Sequence, residues 1–286
     1  MDITNITKKY KDNIVLNDLT FHFDKSRIVG LIGKNGVGKT TVMKIMNGNI
    51  VNYNGTVHLG NNENVGYLIE HPKLYQNLSG FNNLKAFSKI LGVGFDKEYA
   101  NGIINAFDMK SYANKKVKKY SLGMKQKLAI AVSLISKPKY LILDEPTNGM
   151  DPDGSIDVLN TIKNLTEKYN MKVLISSHKL EDIELICDRA VFLRDGKFIK
   201  DIDMNNPTSQ DSTVVTFLNK DLENGKKYLN ENYNVMKIEG NSIIIERLEE
   251  YQNLLKSLSK YEIFPKLIEN KTTTLRDTYF DINKGE

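Results

Sequence analysis

A lysine and two threonines that close a glycine-rich loop can hold a phosphate chain and a hard cation, and residues Gly33 to Thr41 have that arrangement. Gly33, Lys34, Asn35, Gly36, Val37, Gly38, Lys39 and Thr40 fill every fixed position of G-x-x-x-x-G-K-[ST], the phosphate-binding loop, and Thr41 follows. Glycines admit positive φ and let backbone N–H groups close on an anion without a Cβ in the way. The N-terminus of the helix that follows adds unpaired amides and the positive end of its dipole. On this reading Lys39 reaches the β and γ phosphates of a nucleotide, and the Thr40 hydroxyl holds Mg²⁺. A second set of chemical groups stands in Leu141-Ile142-Leu143-Asp144-Glu145. A buried strand that ends on two consecutive carboxylates delivers them to the carboxyl edge of a sheet, where ligands bind in such folds. Asp144 is then placed to organise Mg²⁺ through its water shell, and Glu145 to polarise an attacking water.

Both sets need a sheet to position them. The apolar run Ile28 to Ile32 reads as the buried strand before the loop. Ile3 to Tyr10 alternates as an edge strand, and Leu19 to Phe23 alternates cleanly. With Thr56–Leu59 and Val65–Leu68 these form a small antiparallel layer beside the phosphate-loop strand. From about Gln76 to Lys137 apolar residues fall at helical spacings, an inserted helical subdomain in which Ser121 to Ser136 is one helix with Pro138 beyond its end. A strand at Tyr140–Leu143, a helix from Gly154 to Tyr169, a strand at Lys172–Ile175, a helix from Leu180 to Cys187, and strands at Ala190–Leu193 and Phe198–Ile199 follow. That alternation predicts a mostly parallel sheet with helices on both faces. The polar, turn-rich stretch 205–212 reads as a linker. Residues 213–286 read as a small α+β appendage with strands at Val214–Phe217 and Ser242–Ile245, helices near Gly225–Asn230 and Leu248–Leu258, and no catalytic constellation.

At 286 residues the chain has room for one large core plus an appendage. Its formal net charge is +5 with acidic and basic residues interspersed, so the charges are read as solvated faces and no nucleic-acid partner is expected. Cys187 is the single cysteine, which excludes an intrachain disulfide and suits a reducing cytosol; its apolar surroundings make it a small core residue. The first residues do not read as a signal peptide, and no segment approaches the roughly 18 apolar residues of a membrane span, so any work at a membrane is expected to go through a separate partner.

With both halves of the nucleotide site in view, about Met1 to Asp203 resembles the ATP-binding cassette (ABC) family. Tyr120-Ser121-Leu122-Gly123-Met124 stands where the family's signature LSGGQ stands, matching at Ser121 and Gly123. Asn148-Gly149-Met150-Asp151-Pro152 resembles the D-loop, with Asp151 its acidic residue. Ser176-Ser177-His178 resembles the switch region, in which His178 would bond the γ-phosphate, and Tyr10 sits where the adenine-stacking aromatic sits. The resemblance implies an α/β P-loop NTPase fold of ABC type: a mostly parallel core sheet with flanking helices, a small antiparallel layer and an inserted helical subdomain over residues 1–204, followed here by the C-terminal α+β appendage. It also implies an ATPase that uses ATP and Mg²⁺. Two copies would assemble head to tail around two ATP, as a homodimer or within a heteromeric transporter, each ATP lying between the loop of one copy and Ser121 of the other. An integral membrane permease subunit would hold the protein on the cytoplasmic, inner face of the cell membrane.

Glu70, in Tyr67-Leu68-Ile69-Glu70-His71-Pro72, departs from the family pattern, where glutamine usually contacts Mg²⁺ and the water and senses the membrane partner. A glutamate there is a charged metal ligand and a third carboxylate beside Asp144 and Glu145, expected to raise some pKa in the cluster. Leu-Ile-Glu-x-Pro followed by Tyr75-x-Asn77-Leu78 resembles the branch that exports bacteriocin-type and bacitracin-type peptides. A soluble cassette acting on ribosomes is the alternative class, but those usually carry two cassettes and a basic linker in one chain. A DNA-repair cassette is the other, and its long coiled coil would need heptads that this chain lacks.

Overall fold

The computed structural model describes residues 1–23, 26–61, 63–69, 73–205, 211–272 and 274–283. In chain order the first unit runs β1 (Asp2–Tyr10), β2 (Asn13–His22), β3 (Ile28–Ile32), α1 (Lys39–Met46), β4 (Asn54–His58), β5 (Val65–Leu68), α2 (Gly80–Ile90), α3 (Lys97–Ala106), α4 (Leu122–Leu134), β6 (Tyr140–Asp144), α5 (Pro152–Tyr169), β7 (Lys172–Ser176), α6 (Leu180–Ile186), β8 (Arg189–Arg194) and β9 (Lys197–Asp203). The chain divides into two compact units, Met1–Asn205 and Asn206–Glu286, and residues 206–210 of the predicted linker lie outside the described residues.

β3 has no exposed residue, and β6, β7 and β8 are buried over most of their length. Such near-continuous apolar runs are what a parallel sheet covered on both faces requires. The six strands lie in the order β5-β6-β7-β3-β8-β9, parallel except for the β8–β9 pair. Each fully buried aliphatic such as Ile142 or Val173 stabilises this layer by about 1.5–3 kcal/mol relative to exposure. Register matters most for the chemistry: Leu31 of β3 pairs with Ser176 of β7, and Ser176 pairs in turn with Asp144 of β6. The carboxyl ends of three strands are therefore level, with β7 between the phosphate-loop strand and the carboxylate strand.

Two strand assignments are corrected by the structure. β1 is the middle strand of the three-stranded antiparallel layer β2-β1-β4, not an edge strand, because β4 pairs along its other side, with Ile3 opposite Val57 and Thr7 opposite Asn54. Ile3, Ile6, Leu16, Leu19, Phe21 and Phe23 from this layer bury against β3, α1 and Tyr140. β5 does not join that layer; it pairs in parallel with β6, Val65 opposite Tyr140 and Leu68 opposite Leu143. The amides of Lys139 and Tyr140 donate to the Asn64 carbonyl at 3.1 and 3.2 Å, which commits the strand to the main sheet from its first residue. A four-residue alternating run satisfies either sheet, so its pattern alone could not choose.

The helical subdomain forms where the periodicity places it. Ser79 and Asp96 cap α2 and α3, their side chains accepting from the amides of Asn82 and Tyr99, and Ser121 caps α4. Cys187 is buried, and desolvation raises its thiol well above the ordinary value, so the neutral thiol packs as a core residue.

The second unit contains β10 (Asp211–Phe217), α7 (Asn219–Asn232), β11 (Val235–Glu239), β12 (Ser242–Glu246), α8 (Gln252–Lys260), β13 (Pro265–Thr272) and α9 (Leu275–Asn283). Its antiparallel sheet has the order β11-β12-β10-β13, so the chain traces the split β-α-β-β-α-β arrangement of ferredoxin-like folds. Val215, Phe217, Ile243 and Ile245 on one sheet face pack under Leu229 of α7 and Leu254 and Leu258 of α8.

Candidate functional site

The phosphate loop leaves β3 and enters α1 through two glycines in left-handed backbone, Gly36 at φ 80° and Gly38 at φ 112°. Gly38 is the N-cap of α1, and a Cβ there would lie 2.8 Å from Leu16 Cδ2. Any other residue would strain the turn and push α1 off β2. No acidic residue occupies the first turn of α1, so its N-terminal amides and dipole face an anion uncompensated by a nearby carboxylate of the helix itself.

Lys39 is only 6% exposed, and its ammonium donates to the carbonyls of Gly33 at 2.7 Å and Lys34 at 3.1 Å. Burial lowers its pKa from the ordinary value, while the carboxylates of Glu145 and Asp144 act in the opposite direction. Thr40 Oγ1 donates to Asp144 Oδ2 at 2.7 Å across 104 positions of sequence. The other oxygen of Asp144 accepts from Ser176 Oγ at 2.5 Å, so β7 orients the carboxylate that α1 also touches.

Glu145 turns the chain at the end of β6 with φ 48°, a left-handed conformation that costs a non-glycine residue strain. Its amide donates to the Ser176 carbonyl at 3.2 Å and to Ser176 Oγ at 3.1 Å, and its carbonyl accepts from the Asn148 amide at 3.1 Å. Its carboxylate oxygen Oε2 accepts from Asn148 Nδ2 at 3.4 Å and lies 3.4 Å from His178 Nδ1.

Asn35, Gly36, Gly38, Lys39, Thr40, Thr41, Asp144 and Glu145 line one cavity of about 360 Å³. Gly33, Lys34 and Val37 belong to the same loop without lining it. Tyr10 stands at the end of β1, 48% exposed, with the Lys8 ammonium 4.7 Å from its ring centroid. Ser121 is exposed at the start of α4 with its hydroxyl accepting from the Met124 amide at 3.3 Å, Gly123 follows in the first turn, and Asp151 caps α5 by accepting from the Gly154 amide at 3.2 Å. None of these last four lines the cavity of its own chain. Glu70 lies outside the described residues.

Gln126 and Asn148 also line the cavity; the sequence reading assigned neither to the site and named Asn148 only within the stretch that resembles the D-loop. Gln126 is 8% exposed, a buried polar side chain at the wall of the cavity. Its position within an apolar helical pattern carries no signal of a polar site.

The donor set fits a nucleotide with its cation. Thr40 Oγ1 and Asp144 Oδ2 are hard oxygens on separate elements, and among the described residues no group of three or more His, Cys, Asp or Glu stands ready to enclose a metal. A cation here takes one or two protein oxygens and completes its shell from phosphates and water, which is the habit of Mg²⁺.

Comparison with known proteins agrees with this geometry. The family model described as ABC transporter matches residues 16–148. The lantibiotic transport ATP-binding protein SrtF of Streptococcus pyogenes is 38% identical over 206 residues, covering 70% of this chain and 89% of that protein. The bacitracin transport ATP-binding protein BcrA of Enterococcus faecalis is 34% identical over 248 residues, covering 82% of this chain and 79% of that protein. An ATP-binding cassette solved as a dimer in a post-hydrolysis state with ADP and Pi superposes with a TM-score of 0.61 at 20% identity, over 71% of this chain and 98% of that one, a likeness of fold. Joined to a phosphate loop that meets Asp144 and Glu145 at one sheet edge, these matches show that the chain belongs to the ABC transporter family, as an ATP-binding subunit with ATPase activity.

Proposed function

We propose that this ATPase subunit drives export of an antimicrobial peptide or drug through a separate membrane permease. The observation that carries the hydrolytic part is the Thr40–Asp144 contact at 2.7 Å, which sets the phosphate loop beside the strand end bearing Glu145. The lantibiotic and bacitracin transport relatives support the export part. Among the described residues no helix is long and apolar enough to cross a membrane, in keeping with a permease on another chain.

In this reading the amides of Gly33 to Thr41 and the Lys39 ammonium enclose the β and γ phosphates, and Tyr10 stacks on adenine. Thr40, Asp144 and Glu70 would hold Mg²⁺, which would supply positive charge to offset that of the phosphates. Glu145 accepts a proton from the attacking water, and His178, held beside it, donates a hydrogen bond to the γ-phosphate. A neighbouring copy closes the site with Ser121 and Gly123 at the γ-phosphate and Asp151 at the interface, an isologous two-fold assembly that loosens when the γ-phosphate leaves. The test of export is affinity purification from detergent-solubilised membranes: a multi-span membrane protein is expected to copurify and to make ATP turnover respond to a cationic antimicrobial peptide. Recovery with ribosomes, or with DNA in a salt-sensitive manner, would point to the soluble classes instead.

Glu70 belongs to the coupling side of the scheme. Replacing Glu70 by Gln keeps an oxygen ligand but removes a charge from the cluster, and the expected result is a changed ratio of ATP turned over to substrate moved. Unchanged turnover and unchanged transport in reconstituted vesicles would rule the coupling role out.

A further inference from the structure

Asp182 lies in the first turn of α6 and is 7% exposed, yet it touches neither the phosphate loop nor the cavity. One of its oxygens, Oδ2, accepts from two buried hydroxyls at once, Thr147 Oγ1 at 2.7 Å and Ser177 Oγ at 2.9 Å. Thr147 follows Glu145 by two residues, and Ser177 immediately precedes His178. Ser177 Oγ also accepts from the Lys179 amide at 3.0 Å, so the hydroxyl is fixed from both sides. A single buried carboxylate oxygen thus joins the turn that carries Glu145 to the loop that carries His178.

The turn needs such a restraint. Left-handed backbone at a non-glycine residue persists only where the surroundings over-determine it, and Glu145 is held there at φ 48°. Ser176 fixes the amide of Glu145 from one side, and the bond from Thr147 to Asp182 fixes the far end of the same turn. Hydrogen bonds from hydroxyls to a buried carboxylate are charge-assisted and resist stretching more than neutral ones. The pair they hold, Glu145 Oε2 and His178 Nδ1, stands 3.4 Å apart.

We propose that Asp182 is a positioning residue for ATP hydrolysis, clamping Thr147 and Ser177 so that Glu145 and His178 keep their mutual geometry through the catalytic cycle. This rests on the reading that Glu145 and His178 act at the γ-phosphate. Asp182 itself contacts no substrate; its effect passes through the backbone of the two loops. Because the nucleotide is gripped by α1 and the phosphate loop, losing the clamp spares binding and slows chemistry.

The experiment compares Asp182→Ala, Asp182→Asn and Thr147→Val in the full chain by steady-state ATP turnover, by titration of a fluorescent ATP analogue, and by thermal melting. Asp182→Ala is expected to lower kcat about 10- to 100-fold, the cost of misplacing a reacting group by a fraction of an ångström to an ångström. Its nucleotide affinity stays within about threefold of the parent, so the loss falls on kcat and not on binding. In Asp182→Asn the amide oxygen accepts the same two hydroxyls, and kcat is expected to recover most of the way. Should Asp182→Ala not fold, Thr147→Val, which removes one of the two bonds and keeps the shape, decides the matter by a smaller loss of the same kind. A folded Asp182→Ala or Thr147→Val with parental kcat overturns the proposal, as does an Asp182→Asn protein as impaired as the alanine variant or a loss in affinity equal to the loss in rate. Failure of the underlying reading looks different: Glu145→Gln with Asp182 intact would then hydrolyse ATP at the parental rate.

Discussion

Glu145→Gln is expected to bind Mg-ATP, to turn it over about 10²- to 10⁴-fold more slowly, and to accumulate as a dimer that Mg-ADP does not support. The amide keeps the size of the side chain and a hydrogen-bonding oxygen, but it cannot take a proton from water near neutral pH. The turn at φ 48° and its bonds to Ser176 involve only backbone atoms of residue 145, so the substitution leaves the loop in place. Lys39, Thr40 and Asp144 are untouched, and ATP therefore stays where it is bound. In the two-copy scheme trapped ATP holds the subunits together, because each γ-phosphate is shared between the loop of one copy and Ser121 of the other. Light scattering behind size exclusion, run with Mg-ATP and with Mg-ADP, reads the outcome directly. A variant that remained monomeric with Mg-ATP would remove the support for assembly around the nucleotide, and one with parental turnover would remove Glu145 from the chemistry.

Lys39→Ala should lose nucleotide instead of trapping it. The ammonium is 6% exposed and bonds two loop carbonyls, so it lies inside the loop where a phosphate chain would be received. A charge-assisted hydrogen bond of this kind contributes about 1.5–3 kcal/mol, which corresponds to a loss of about 10- to 150-fold in affinity. Thermal melting with increasing Mg-ATP checks this: the parent is expected to gain stability in proportion to the logarithm of ligand concentration, and the variant to show the gain only at much higher concentration. Lys39→Arg is not a conservative control here, since the planar guanidinium presents a fixed fork in place of the point charge that meets the Gly33 and Lys34 carbonyls. Parental affinity in Lys39→Ala would show that the loop does not bind the phosphates.

The two variants separate the site into its halves. On the proposed mechanism one is expected to leave binding and stop the proton transfer, and the other to leave the proton acceptor and weaken the grip. The distinction follows from where the residues stand, Lys39 at the head of α1 and Glu145 beyond the end of β6.

Local requirements were legible in the residues. A phosphate loop needs glycine where φ is positive and a Lys-Thr pair at the helix start, and these needs are met within a dozen positions, so Gly36, Gly38, Lys39 and Thr40 could be assigned from spacing alone. The parallel strands were legible because burial on both faces demands unbroken apolar runs. In the second unit β10 and β12 were visible because they are the two central strands of the sheet and carry its apolar runs. β11 (VMKIE) and β13 (PKLIENKT) were not, because strands at the two edges of a sheet are partly solvated and carry charges that break the alternation.

Which strand β5 would join, and that β1 would lie between two neighbours, depended on partners far away in the chain. So did the meeting of Thr40 with Asp144, of Ser176 with both Asp144 and Glu145, and of Asp182 with Thr147 and Ser177. By itself the sequence determined the chemical inventory, since each motif answers to backbone geometry and side-chain type over a few residues. Only the tertiary structure decided the working distances. They follow from the shared register of Leu31, Ser176 and Asp144, which the burial of three separate strands in one sheet enforces and no local pattern records.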